Sequence, residues 1–229
     1  MKKTILAAIL AVALPMAAQA TSYNAVTDFS LAGNPNGVWT YDYGIGGSTP
    51  ATLNTSNTPC VTYAGTSCFS DGGGLPIIGK NMTASSLTIG GTASIPTDVL
   101  WMHPGDADNL DAILRFTAPA AGDYSFSGAF SRLDSTGNGN GVVVSIFDNG
   151  ALLFSSVISP PVYGSYVNFN QDVALGLGDV LDFAVNRNGS YYYDSTGLAL
   201  VVASVPEPGT LALLGVGLVG LVAVRARRA

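Results

Sequence analysis

The stretch GVVVSIFDNGALLFSSVIS, residues 141–159, constrains the fold more than any other part of the chain. Two apolar runs flank Asp148-Asn149-Gly150, and an Asn-Gly pair tolerates the positive φ that tight hairpin turns require. An antiparallel hairpin is predicted. Similar short segments recur along the chain. GVWTYDYGI (37–45), GDYSFSGAFSRLD (122–134) and YVNFNQDVAL (166–175) alternate apolar with polar residues. DAILRFTAP (111–119) ends at a proline, GLGDVLDFAVNRNG (176–189) turns and continues, and GLALVVASV (197–205) is apolar throughout. No stretch before residue 206 carries a helical stripe, and no repeat of solenoid or propeller period is present. Short, regularly spaced strands with Gly, Asn and Asp turns predict an all-β fold, an antiparallel β-sandwich of jelly-roll topology. Residues 34–91, rich in Gly, Ser, Thr and Asn and less periodic, are expected to be loops with weak strands.

The ends of the chain read differently. Lys2 and Lys3 form a basic start, residues 4–14 an apolar run, and Ala18-Gln19-Ala20 a small-x-small cleavage site. These are the three parts of a secretory signal peptide, assigned to residues 1–20. An uncleaved anchor is the competing reading, but eleven apolar residues fall short of the roughly 20 that a membrane span needs. Residues 21–205 are then the exported domain, about 185 residues, which suffices for one core. They carry four basic side chains (Lys80, Arg115, Arg132, Arg187) against fourteen aspartates, a net charge of −10. That charge argues against nucleic acid or anionic lipid as partner, since both reward clustered Lys and Arg.

At the other end, Val205-Pro206-Glu207-Pro208 precedes a small, apolar segment at residues 210–224, followed at once by Arg225, Arg227 and Arg228. As a short transmembrane helix, fifteen residues span about 22 Å, less than a hydrocarbon core of roughly 30 Å. The arginines hold the C-terminus in the cytoplasm by the positive-inside rule. Two prolines lack backbone donors, which keeps the stretch before the span extended and accessible. Motif, span and basic tail in this order resemble the PEP-CTERM sorting signal of exported Gram-negative bacterial proteins. The resemblance covers residues 206–229 with Val205 before them. It implies recognition by exosortase, a membrane-embedded enzyme similar to a cysteine transpeptidase, after transit through the secretion machinery and the inner membrane. It further implies removal of the tail and delivery to the cell surface or an exopolysaccharide matrix. Pro206, Glu207 and Pro208 would be the recognition motif, and Arg225, Arg227 and Arg228 the stop-transfer cluster. An ordinary C-terminal anchor is the alternative.

The body also resembles carbohydrate-binding-like sandwich domains of exported bacterial proteins, at HPG (103–105), at RFTAPAAGDYSFSGAF from Arg115 and at DSTGLAL from Asp194. That resemblance supports the sandwich and assigns no ligand. Cys60 and Cys68 are close enough for a local disulfide in an oxidising compartment. A metal site would need partners that one His and two Cys do not supply.

Catalytic signatures are sparse. The sole Glu, Glu207, belongs to the tail, and the sole His, His103, is expected to be a hydrogen-bonded turn residue. With no G-x-S-x-G, H-E-x-x-H or P-loop present, a secreted polysaccharide hydrolase would have to use two aspartates. DADNLD places Asp106, Asp108 and Asp111 close together. The oxygen-only set suits a structural Ca²⁺ loop, the one cofactor considered, although the EF-hand glycine and glutamate are missing; a solvated acidic turn is the competitor. In VWTYDY, period-two geometry puts Trp39, Tyr41 and Tyr43 on one face of a strand, either as a glycan-stacking platform or as core. Tyr191-Tyr192-Tyr193 poses the same choice. The function expected is that of an exported surface or matrix protein whose sandwich scaffolds or binds extracellular glycan.

Overall fold

The computed structural model describes residues 19–160, 163–206, 217 and 225. The signal peptide assigned to residues 1–20 and the tail with its span at 210–224 lie almost wholly outside them. Thr21–Ser204 forms a unit of its own.

Among the described residues the strands are, in chain order, β1 (Ser22–Asn24), β2 (Trp39–Gly44), β3 (Ala51–Thr52), β4 (Thr55–Asn57), β5 (Thr66–Asp71), β6 (Gly74–Asn81), β7 (Leu87–Ile89) and β8 (Ala93–Ile95). They continue with β9 (Leu100–His103), β10 (Asp111–Thr117), β11 (Gly122–Arg132), β12 (Val142–Asp148), β13 (Ala151–Ile158), β14 (Tyr166–Leu175), β15 (Val180–Asn186) and β16 (Thr196–Ser204). One sheet runs β14-β11-β16-β9-β6-β5-β4, with β1 also paired to β16; the other runs β13-β12-β15-β10-β2-β3. β7 and β8 form a separate hairpin. The strand pairings are antiparallel throughout.

The two sheets face each other across an aromatic core. Phe126 of β11 meets Phe183 of β15 with ring centroids 5.9 Å apart, and Tyr41 of β2 stacks on Phe69 of β5 at 4.8 Å. Alternation selects the inward residues: Tyr124, Phe126 and Phe130 on β11, and Val142, Val144 and Ile146 on β12, are buried. The predicted hairpin is β12–β13, with Asp148 opposite Ala151 and positive φ at both Asn149 (47°) and Gly150 (86°). Positive φ at both central residues is the twist-matched geometry of a two-residue hairpin turn.

Residues 34–91 are more ordered than expected. β5 and β6 pair from Thr66 opposite Asn81 to Asp71 opposite Gly74, and β6 lies inside the sheet between β5 and β9. β5 is buried from Thr66 to Ser70 on both faces, which erases the period-two signal. Pro76 would argue against a central strand, but it falls beside the register shift at Ser70 and Asp71, where a missing donor is tolerated. The Cys60–Cys68 disulfide ties β5 to the loop before it.

β5 is covered on its outer face by a second, smaller core. Cys60, Cys68, Ile77, Ile89, Ala93, Ile95, Val99, Trp101 and Leu133 are buried together there, with Tyr63, Leu75 and Leu87 packed against them. The β7–β8 hairpin and the disulfide loop therefore sit on the outer face of the β9–β6–β5 part of the sheet.

Candidate functional site

Between this second core and the segment leading into β16 lies a cavity of about 290 Å³. Trp101 on β9 forms its floor. Its cross-strand partners are glycines on both sides, Gly79 of β6 and Gly197 of β16, so no neighbouring side chain crowds the indole within the sheet. Tyr63 from the disulfide loop meets the Trp101 ring edge-on at 6.0 Å. Leu75, Ile77, Ile89 and Ala93 complete the apolar walls.

The polar side is built by long-range contacts. Asp134, at the exit of β11, is buried; its Oδ1 accepts from the Thr92 hydroxyl at 3.0 Å and its Oδ2 from the Ser195 N–H at 2.8 Å. Backbone bonds Ser94 N–H to Leu133 carbonyl (2.9 Å) and Ser135 N–H to Thr92 carbonyl (2.8 Å) hold the β7–β8 hairpin against this segment. His103, the last residue of β9 rather than a turn residue, also lines the cavity. Its Nδ1 lies 2.8 Å from the Pro104 carbonyl, and since a carbonyl only accepts, Nδ1 carries the proton and Nε2 is left as an acceptor. Burial lowers the His103 pKa, opposed by the Pro104 bond and by the charge of Asp134, so the ring is neutral at neutral pH. Tyr193 closes the rim with φ at 64°, a left-handed conformation uncommon for a bulky residue and typical of sites where surrounding structure imposes strain.

Apart from His103, the residues singled out in the sequence fall elsewhere, with one exception. Trp39 and Tyr41 are 1% and 0% exposed. Trp39 packs on Phe116 at 5.4 Å and donates from Nε1 to Asp28, while Tyr43 is half-buried against the same core. The platform reading of Trp39, Tyr41 and Tyr43 is thereby corrected: this face of β2 points between the sheets, where large apolar area is best removed from water. Asp106, Asp108 and Asp111, read as a Ca²⁺ loop or as an acidic turn, have contacts of their own. Asp111 accepts from Gly46 N–H and the Asn186 amide, Asp108 pairs with Arg187 at 2.8 Å, and Arg187 also reaches the Asp106 carbonyl. The Asp108 and Asp111 carboxylates have protein donors, Asp106 is contacted through its backbone carbonyl, and no group of three or more metal-binding side chains occurs among the described residues. Pro206 is the one described member of the Pro206-Glu207-Pro208 motif; Glu207 and Pro208 lie outside the described residues, as do Arg227 and Arg228. The exception is the tyrosine run: Tyr193 enters the cavity rim, Tyr191 lies 6.5 Å from His103, and Tyr192 stacks on Tyr191 at 4.4 Å with its outer side exposed. Tyr63, Trp101 and Asp134 were missed because nothing local marks them; they meet only after folding.

Other buried polar groups do not line this cavity. On the outer face of the second sheet, Arg115 grips Asp182 with two bonds of 2.7 and 2.8 Å, and burial raises the neighbouring Asp42 to about 6. Burial raises Asp194 to about 8, and neither of its oxygens has a partner.

An all-β antiparallel sandwich with a lined cavity on its outer face is thus the class of molecule. The chain carries, at residues 204–228, a match to the PEP-CTERM protein-sorting motif. The motif implies export with exosortase processing and sorting to the bacterial cell surface. Among solved structures, the body is similar to CBM51 from Clostridium perfringens GH95 in complex with methyl-galactose, at 10% identity over 79% of this chain and 99% of that one, TM-score 0.38. It is also similar to the family 35 carbohydrate binding module from Clostridium thermocellum, at 13% identity over 81% and 98%, TM-score 0.34. These likenesses are distant and assign no ligand to this chain. No curated protein matches its sequence.

Proposed function

We propose that this is an exported protein of a Gram-negative bacterium that passes through the inner membrane and is processed by exosortase. Its jelly-roll sandwich then binds extracellular glycan at the surface or in the exopolysaccharide matrix. Residues 1–20 act as its signal peptide and residues 210–224 as the transient membrane span. One observation carries the binding half of this reading: the outer-face cavity walled by Trp101, Tyr63 and Tyr193, with Asp134 and His103 on its polar side. Aromatic faces take up the apolar faces of sugar rings, and a few placed polar groups fix orientation. The alternative, a polysaccharide hydrolase, requires two carboxyls at the reacting bond. Asp134 is the one carboxyl among the residues lining this cavity, which favours binding over hydrolysis.

Tyr193→Gly tests the reading cleanly. Glycine adopts a φ of 64° without strain, so the variant should keep or raise the thermal midpoint while losing the rim ring. Retention on the producer's own exopolysaccharide should fall at least tenfold, about 1.4 kcal/mol. A variant that binds like wild type would sink the cavity as the glycan site. Release of reducing ends from the polymer would move the assignment to the hydrolase.

A further inference from the structure

Resting on the glycan reading above, we infer that Val61 is a ligand-contacting residue of this site, held beside the cavity in a strained backbone conformation that costs the fold stability. The inference comes from where the strain falls. Among the described residues four besides glycine have φ in the left-handed region: Val61 at 55°, Asn149 at 47°, Asn188 at 47° and Tyr193 at 64°. Asparagine is enriched there, whereas a β-branched or bulky side chain is an outlier. The two outliers, Val61 and Tyr193, come from separate loops, and both line the cavity. Neither asparagine does.

Val61 is the first central residue of the turn Cys60–Tyr63, which the Tyr63 N–H closes by donating to the Cys60 carbonyl at 2.9 Å. A turn with positive φ at that residue takes glycine by preference, and a branched Cβ is the poorest fit. The surroundings over-determine the turn all the same. Cys60 donates from its N–H to the Thr66 carbonyl at 3.2 Å, the Thr66 hydroxyl donates to the Tyr63 carbonyl at 2.7 Å, and the disulfide fastens Cys60 to β5. Backbone strain persists only where it is held in this way, and it gathers at ligand sites.

Core packing does not account for the valine. Its side chain is 43% exposed and belongs to neither buried core. Turn geometry disfavours it and burial does not repay it, which leaves its place on the cavity wall. There it offers aliphatic surface two residues from Tyr63, suited to the carbon face of a sugar ring. Tyr193, 36% exposed, repeats the pattern from the other loop, so two residues of the wall sit where glycine would fold more easily.

Val61→Gly removes side chain and strain together; Val61→Ala removes the side chain and keeps a Cβ in the left-handed conformation. Both are compared with wild type for thermal midpoint and for retention on the producer's own exopolysaccharide. Val61→Gly should raise the midpoint by about 3 °C and weaken retention by roughly fivefold. Val61→Ala should raise the midpoint less and weaken retention equally. A Val61→Gly chain that is retained like wild type would overturn the inference, and so would one that melts lower, since the valine would then serve the fold. Loss of retention in Val61→Gly but not in Val61→Ala would overturn it too, because backbone stiffness rather than side-chain contact would be at work. If Tyr193→Gly weakens retention while both Val61 variants leave it unchanged, the glycan reading stands and the role of Val61 falls. Wild-type protein that is not retained at all would overturn both.

Discussion

Asp194 shows how far one side chain can set the response of this domain to pH. It is 1% exposed, both oxygens lack partners, and burial raises its pKa to about 8 against the opposing charge of Arg132. A carboxyl raised in the folded state keeps a proton there that the unfolded chain has already released. Between the unfolded value near 4 and the folded value of about 8, stability therefore falls as pH rises. Asp42, raised to about 6, adds to the same trend over the narrower window from about 4 to 6. The thermal midpoint should decline from pH 5 to pH 9, and Asp194→Asn should flatten that decline. The gain at pH 9 should be on the order of 3 °C, about 1 kcal/mol for a domain of this size. An Asp194→Asn profile that runs parallel to wild type would show that the carboxyl is ionised in the fold. Trp39 makes the contrasting case, because its ring is 1% exposed and packs on Phe116 in the core. Trp39→Ala should cost about 3–5 kcal/mol in a denaturant titration while leaving the affinity of the surviving folded fraction for glycan unchanged. Had the ring been a platform, the order of those two effects would be reversed.

At the level of the element, the β12–β13 turn is decided by two residues. A Cβ at Gly150, where φ is 86°, would meet the Gly47 carbonyl oxygen at 2.9 Å. Gly150→Ala should thus lower stability by about 1–2 kcal/mol in equilibrium unfolding, a backbone and steric effect combined. The disulfide acts on the neighbouring element: replacing Cys60 and Cys68 by serine should cost about 2.5 kcal/mol, the chain-entropy value for so short a loop. Turn chemistry and alternation are what made β2 and β10 to β16 legible in the sequence, since each of those strands has a clear apolar face or an apolar run bounded by turn residues. β5 and β6 were not legible, because a covering layer buries β5 on both sides and Pro76 argues locally against a strand. That covering layer is also what makes the cavity. Its residues come from segments as far apart as Val61 and Ser195, and no local pattern records that Trp101 will lie between two glycines or that Asp134 will meet Thr92. Of the lining residues, His103 stood out as the sole histidine and Tyr193 through a tyrosine run that could not all face one way.

For the whole molecule, the decisive feature is where the described strands stop. β16 is an interior strand, held by β11 on one side and by β9 and β1 on the other, and it ends at Ser204. The sorting-motif match begins at that same residue. Just after the predicted leader, Thr21 donates from its N–H to the Ser204 hydroxyl at 2.9 Å, and the Ser204 N–H donates to the Thr21 carbonyl at 2.9 Å. The two points at which processing enzymes are expected to act thus flank one hydrogen-bonded pair, and no described strand extends beyond Ser22 or Ser204. The strand pairings among the described residues all fall within Ser22–Ser204. A chain of residues 21–208 should accordingly melt within about 0.5 kcal/mol of the full-length protein, the range of changes remote from packed structure. Deleting residues 201–204 as well would remove the three partners of β1 and the buried Val202, and that chain should not fold cooperatively. In the producing cell, intact-mass measurement of surface-released protein should find a species that starts at Thr21 and lacks Arg225, Arg227 and Arg228. Released protein with the arginines still attached would mean that the motif serves as an anchor and not as a substrate.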